Sequence, residues 1–99
     1  MRRRDPETEP RFEVADLASR PPQQPPAWLR AEVFEAYLRW CEACAAEVLA
    51  YERWRDAGRE DRADAFARFS RAVDEEERRA SAYAGLVIRA ADYARALAA

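Results

Sequence analysis

Residues 27–57 decide the fold, and they read AWLRAEVFEAYLRWCEACAAEVLAYERWRDA. The stretch has neither proline nor glycine and is rich in good helix formers. Its apolar side chains recur every three or four residues, as on one helix face: Leu29, Val33, Tyr37, Trp40, Cys44, Val48 and Tyr51. A second apolar stripe lies beside it: Phe34, Leu38, Cys41, Ala45 and Leu49. The combined surface is wider than a coiled-coil seam and favours a helix bundle.

A second helix is predicted from residue 61 onward. Gly58 suits the left-handed position just after a helix that ends at Ala57, and Asp61 can cap the next one. We expect the second helix to continue through Gly85. Its apolar stripe is predicted at Phe66, Phe69, Val73, Ala80, Tyr83, Ala84, Val87, Ala91, Ala94 and Leu97.

The first 26 residues have a different composition. They hold all six prolines of the chain and few large apolar residues, which is typical of a disordered or extended arm. Phe12, Val14 and Leu17 form a small apolar island within it. Two interpretations stay open: the island binds a partner as a linear motif, or it folds back onto its own helices.

The predicted fold is therefore all-α. A disordered, Pro-rich arm covers residues 1–26, and a long antiparallel two-helix hairpin covers residues 27–99, with helices at about 27–57 and 61–98. Two helices cannot bury such wide apolar surfaces against each other alone. We expect dimerisation or a partner protein to complete a four-helix bundle.

Charge and composition exclude several classes. The 17 basic residues, all arginines, face 19 acidic ones for a net charge of −2, which argues against a dedicated nucleic-acid binder. No apolar run is long enough to span a membrane. Arg2-Arg3-Arg4 is followed by Asp5-Pro6-Glu7 rather than by the apolar stretch of a signal peptide. We therefore expect a cytoplasmic protein with reduced cysteines.

No catalytic or cofactor motif stands out. The chain has no histidine, no glycine-rich phosphate loop and no nucleophile with an adjacent base, so we predict neither an enzyme nor a bound cofactor or small-molecule substrate. Cys41 and Cys44 form a C-x-x-C in mid-helix. A dimer could bring two such pairs together as a metal site. Packing as small apolar side chains is the favoured interpretation. The acidic run at residues 74–77 precedes Arg78-Arg79, so helical ion pairing explains it better than metal binding does.

Arginines beside tryptophans are the strongest binding candidates. Arg53-Trp54-Arg55 lies near the turn and Arg39-Trp40 lies in mid-helix. Such pairs are found at protein-binding hot spots and can stack on nucleobases. Alternatively, a tryptophan in this position covers the end of the helix bundle while the arginines lie in solvent. The predicted partner-binding residues are Phe12, Val14, Leu17, Trp40, Arg53, Trp54, Arg55 and Tyr83.

Three functions remain in order of preference. The first is a non-enzymatic protein–protein interaction module, such as an adaptor, inhibitor or assembly subunit, which acts as a homodimer or within a larger assembly through its apolar helical surface. The second is a nucleic-acid-associated regulator that uses surface arginines, namely Arg39, Arg53, Arg55, Arg68 and Arg71. The third is a dimeric metal-binding bundle held by the cysteine pair.

Overall fold

The computed structural model describes residues 24–98. They form two α-helices: α1 spans Ala27–Asp56 and α2 spans Arg62–Ala98. The helices lie antiparallel, because residues late in α1 contact residues early in α2. The predicted all-α hairpin is confirmed, and the bounds of each helix lie one residue inside those predicted at the turn.

Proline determines where α1 begins. Pro26 has an extended backbone (φ −61°, ψ 156°) and is the N-cap residue. Its carbonyl oxygen accepts hydrogen bonds from the N–H groups of Leu29, at 3.0 Å, and Arg30, at 3.1 Å. The Arg30 bond is the first i→i−4 bond of the helix, and the Leu29 bond gives a partner to one of the first-turn N–H groups that have none within the helix.

α1 ends at a residue with an extended backbone rather than at a glycine in the left-handed conformation. Ala57 has φ −66° and ψ 139°, and its N–H donates to the Trp54 carbonyl at 3.2 Å. The prediction that Gly58 adopts a left-handed conformation is wrong, because no residue in the described part of the chain has a positive φ. The Gly58 carbonyl instead accepts the Asp61 N–H at 3.1 Å. The extended backbone at Ala57 is therefore sufficient to turn the chain from α1 toward α2.

The second helix runs without a break through Gly85. A Cβ placed at this glycine meets no atom within 4 Å, so neither a close approach nor a bend requires glycine there. Asp64 in the first turn and Arg95 in the last turn complement the helix dipole.

The core between the helices is thin. On α1, the side chains that are least exposed repeat at alternating steps of four and three: Leu29, Val33, Ala36, Trp40, Ala43, Glu47, Ala50 and Trp54. Among the described residues only two of these apolar side chains are buried, Leu29 at 1% exposure and Ala43 at 7%. A hairpin of this size leaves most of its apolar surface in contact with water.

Neither helix of the described region contains an 18-residue window that is apolar enough, and poor enough in charge, to cross a bilayer.

Candidate protein-interaction face

One side of the hairpin carries most of the exposed apolar area. Each helix rotates by about 100° per residue, so residues that flank the seam on this side recur along both helices and form one continuous surface. Tyr37–Tyr83 and Tyr51–Phe69 contacts join the two halves across the seam. We call this surface the apolar face and define it by its large side chains, which are 39–62% exposed: Phe34, Tyr37, Val48, Tyr51, Phe66 and Val87. Small residues lie between them: Cys41, Ala80, Ala84 and Ala91.

The opposite side is charged. A groove of about 310 Å³ lies there between the helices, with Glu32, Glu35, Ala36, Arg39, Arg79, Ala82 and Leu86 along its walls. Most of its charges are paired within one helix. Arg39 bonds Glu35 at 2.6 Å, and Arg79 bonds Glu75 at 2.7 Å. Hydrogen bonds from Arg78 and Arg79 hold the pKa of Glu75 below its ordinary value. The hairpin is therefore two-sided, with one apolar and one ion-paired face.

A carboxylate lies at the centre of the seam between the helices. The indole N–H of Trp40 donates to Oε1 of Glu76 at 2.8 Å, and the Cys44 thiol lies 3.9 Å from the same oxygen. Trp40 also stacks on Tyr83, with ring centroids 5.5 Å apart and planes 20° apart. Tyr37 packs against both of these rings. This cluster fixes which residues of α1 and α2 lie at the same level.

The environment of this cluster keeps its thiol protonated. Desolvation, followed by the negative charge of Glu76, raises the pKa of Cys44. A side-chain hydrogen bond with Cys41, and the charge of that group, raise the pKa of Tyr37. Both groups are therefore neutral near pH 7, and Cys44 is a poorer nucleophile than an ordinary cysteine. That behaviour fits a packing role for Cys44.

Four aromatic rings close the hairpin at its turn. Trp54 stacks on Phe69, with centroids 5.3 Å apart and planes 17° apart, and lies 5.0 Å from the ring of Phe66. Tyr51 completes the group by contacts with Trp54 and Phe69. Trp54 is thus half-buried between the helices. It covers the end of the hairpin, the alternative that the sequence left open.

The arginines beside Trp54 lie in solvent. Arg53 and Arg55 are both exposed, and Arg55 bonds the carboxylate of Asp56 at 3.1 Å. The turn therefore presents a polar rim next to its aromatic cluster, an arrangement that is common at the edges of protein interfaces.

The predicted site residues fall into three groups. Trp40 and Tyr83 belong to the central cluster and Trp54 to the turn cluster, so all three pack within the hairpin. Arg53 and Arg55 are exposed. Phe12, Val14 and Leu17 lie outside the described residues. The face residues that the sequence did not single out as partner-binding are Phe34, Tyr37, Val48, Tyr51, Phe66 and Val87, although all six lie on the apolar stripes predicted from helical periodicity.

The two cysteines are free and lie at different depths. Cys41 is exposed on the apolar face, whereas Cys44 is half-buried beside Glu76. Within residues 24–98, no group of three or more histidine, cysteine, aspartate or glutamate side chains is arranged to hold a metal ion. A metal site on this pair would need ligands from a second chain.

Comparison with known proteins finds no match for this chain among protein-family models, curated proteins or solved structures.

Proposed function

We propose that this chain is a non-enzymatic protein–protein interaction module, and that it binds through the apolar face. The observation that carries this proposal is the contrast between core and surface. Two apolar side chains are buried in the described hairpin, whereas eleven large ones are at least 39% exposed. Scattered apolar residues are normal on protein surfaces, but a contiguous apolar patch with a polar surround is typical of an interaction site.

The distribution of charge supports the same surface. The opposite face carries intrahelical ion pairs, including Arg39–Glu35 and Arg79–Glu75, so it is well suited to water. Toward the turn the apolar face has Val48 and Tyr51 instead, and small residues lie between Tyr37 and Val48. A binding protein that covers this face would remove apolar area from water without desolvating ion pairs.

The nucleic-acid alternative receives less support from the geometry. Arg39 and Arg55, two of the five arginines it needs, bond neighbouring carboxylates. The net charge of −2 also opposes approach to a phosphate backbone. A role as an adaptor, inhibitor or assembly subunit fits the two-sided hairpin better. We propose the cytoplasm as its location, since both cysteines are unpaired.

Glutamate at Val48 tests the proposed surface. Val48 is 58% exposed on the apolar face, and a carboxylate there should prevent a partner from covering the face, because the buried charge would have no counter-ion. Ala46→Glu is the matched control, since Ala46 is exposed on the other side of the same helix. Both variants should keep the helical circular dichroism spectrum of the wild type.

The measurement is chemical crosslinking in cells that naturally make the chain. We expect wild type and Ala46→Glu to give the same crosslinked species of defined mass, and Val48→Glu to lose it. If Val48→Glu gives that species at the wild-type level, the apolar face is not the binding surface.

A further inference from the structure

We infer that the protein that covers the apolar face is a second copy of this chain, with α1 of each copy packed antiparallel on α2 of the other. This inference rests on the proposed function and names its partner. Three observations carry it: the area of the face, the complementary size of the side chains on its two halves, and the small amount of apolar chain elsewhere that could cover it.

The area matches that of a protein interface. A Phe, Tyr or Trp side chain buries roughly 150–250 Å² when fully covered. The six large side chains of the apolar face, four of them aromatic, are about half exposed, so together they offer about 600 Å², and the small residues between them add to this area. Stable interfaces bury about 800 Å² on each partner. A self-complementary patch of this size is sufficient for a two-fold dimer.

The two halves of the face differ in side-chain size at the level of Tyr37 and Tyr83. There the α1 half presents a bulky ridge with Phe34 and Tyr37, which are 62% and 42% exposed. The middle of the α2 half presents a shallow strip with Ala80 and Ala84. Packing α1 on α1 would set bulky side chains against each other and leave gaps. Packing α2 on α2 would leave the bulky side chains of α1 in water. Packing α1 of one copy on α2 of the other places large side chains against small ones, as close packing requires.

The heights of the residues along the helix axes agree with this arrangement. Tyr37 contacts Tyr83 within one hairpin, so the two residues have the same height along the bundle. A two-fold axis parallel to the helices preserves that height. Phe34 and Tyr37 of one copy therefore lie level with Ala84 of the second copy. Ser70 and Glu77 lie on the same helical row as Ala84, at spacings of seven residues, so this row is apolar at the level of Phe34 and Tyr37 and becomes polar toward the turn.

Residues 1–23 offer too little apolar chain to cover the face. Their main apolar island, residues 12–17, is six residues long and spans at most about 20 Å in a single strand. The face is two helices wide, about 20 Å, and from Phe66 to Ala91 it extends for roughly 37 Å. A strand is about 5 Å across, so this island covers a small fraction of the area. A second hairpin has the required length and width.

The test uses the full chain and a matched pair of substitutions on α2. Ala84 is exposed on the apolar face, and Ala82 is exposed on the opposite face beside the charged groove. Glutamate is a good helix former at either position. Sedimentation equilibrium should show a dimer for wild type and for Ala82→Glu. Ala84→Glu should raise the dissociation constant by about a hundredfold or more, because it buries an uncompensated charge.

Modification of Cys41 by a thiol reagent, read by tandem mass spectrometry, gives a second measurement. Cys41 is exposed in the single hairpin and lies on the apolar face, so dimerisation should slow its modification as protein concentration rises. The slowing should be absent in Ala84→Glu and present in Ala82→Glu. The inference is supported if both measurements give these results.

Three outcomes would overturn it. A monomer at high concentration with a reactive Cys41 would mean that the face is free and binds a different protein, and the proposed function would stand. A monomer with a protected Cys41 would mean that residues 1–23 cover the face, and both proposals would fail. A dimer that is equally stable in Ala84→Glu would mean that the copies associate through another surface.

Discussion

Replacing Trp54 with alanine is expected to lower the free energy of unfolding by about 3 kcal/mol. Trp54 is in contact with three other aromatic rings, and its stack on Phe69 joins the end of α1 to the start of α2. Truncation removes the ring against which Phe66 and Phe69 pack, so both of these rings lose that contact. The aromatic contacts beyond simple burial are lost as well.

The matched control for this change is Trp28→Ala. Trp28 is 54% exposed and contacts Arg89, whose guanidinium carbon lies 6.0 Å from the ring centroid. An exposed cation–π contact contributes about 0.5–1 kcal/mol, so the control should lose no more than that. Urea unfolding at one fixed protein concentration, followed by circular dichroism, measures both values. Equal losses for the two variants would show that the aromatic cluster does not hold the turn.

Replacing Leu29 with alanine is expected to cost a similar amount, about 3 kcal/mol. Leu29 is 1% exposed and is the one large side chain of the described region that is fully buried. It lies in the first turn of α1, at the end of the hairpin away from the turn cluster. Because so few side chains are buried in each hairpin, the loss of this one removes a large share of the packing at that end.

Leu49→Ala is the control for Leu29→Ala. The substitution is chemically identical and lies on the same helix, but Leu49 is 47% exposed and lies outside both the seam and the apolar face. We expect a change of about 0.5 kcal/mol for this exposed residue. The same urea experiment compares the two. A cost for Leu29→Ala no larger than that for Leu49→Ala would contradict the proposed packing at the open end.

The sequence was informative where local chemistry decides the structure. The periodic apolar residues from Leu29 to Tyr51 predicted α1, and the proline-free stretch after residue 61 predicted α2. The turn was harder to predict. Gly58 has the residue type of a left-handed cap, yet the chain turns at Ala57 with an extended backbone. An extended residue is open to almost any side chain, so it leaves no mark in the sequence.

The surface was harder to assign than the helices. The structure divides the first apolar stripe predicted on α1. Leu29 and Trp40 of that stripe face α2, whereas Val48 lies in water with Phe34 of the second stripe. Ala43, which belongs to neither predicted stripe, is buried in the seam. Which side chains face inward therefore depends on how the two helices pair, and the carboxylate in the seam between them is an example.

Glu76 illustrates the same limit. Its hydrogen-bond donor is the indole of Trp40, 36 positions earlier in the chain. Such a pair forms only once the register of the two helices is set, so a local pattern cannot reveal it.

Thermal unfolding of the full chain over about a hundredfold range of protein concentration tests the central claim most directly. If the apolar face is buried between two copies, folding and association are linked, and the midpoint temperature must rise steadily with concentration. Ala82→Glu should show the same rise, and Ala84→Glu should unfold at a lower temperature at every concentration where the wild type is dimeric. A midpoint that does not change with concentration, in a single cooperative transition, would contradict the account.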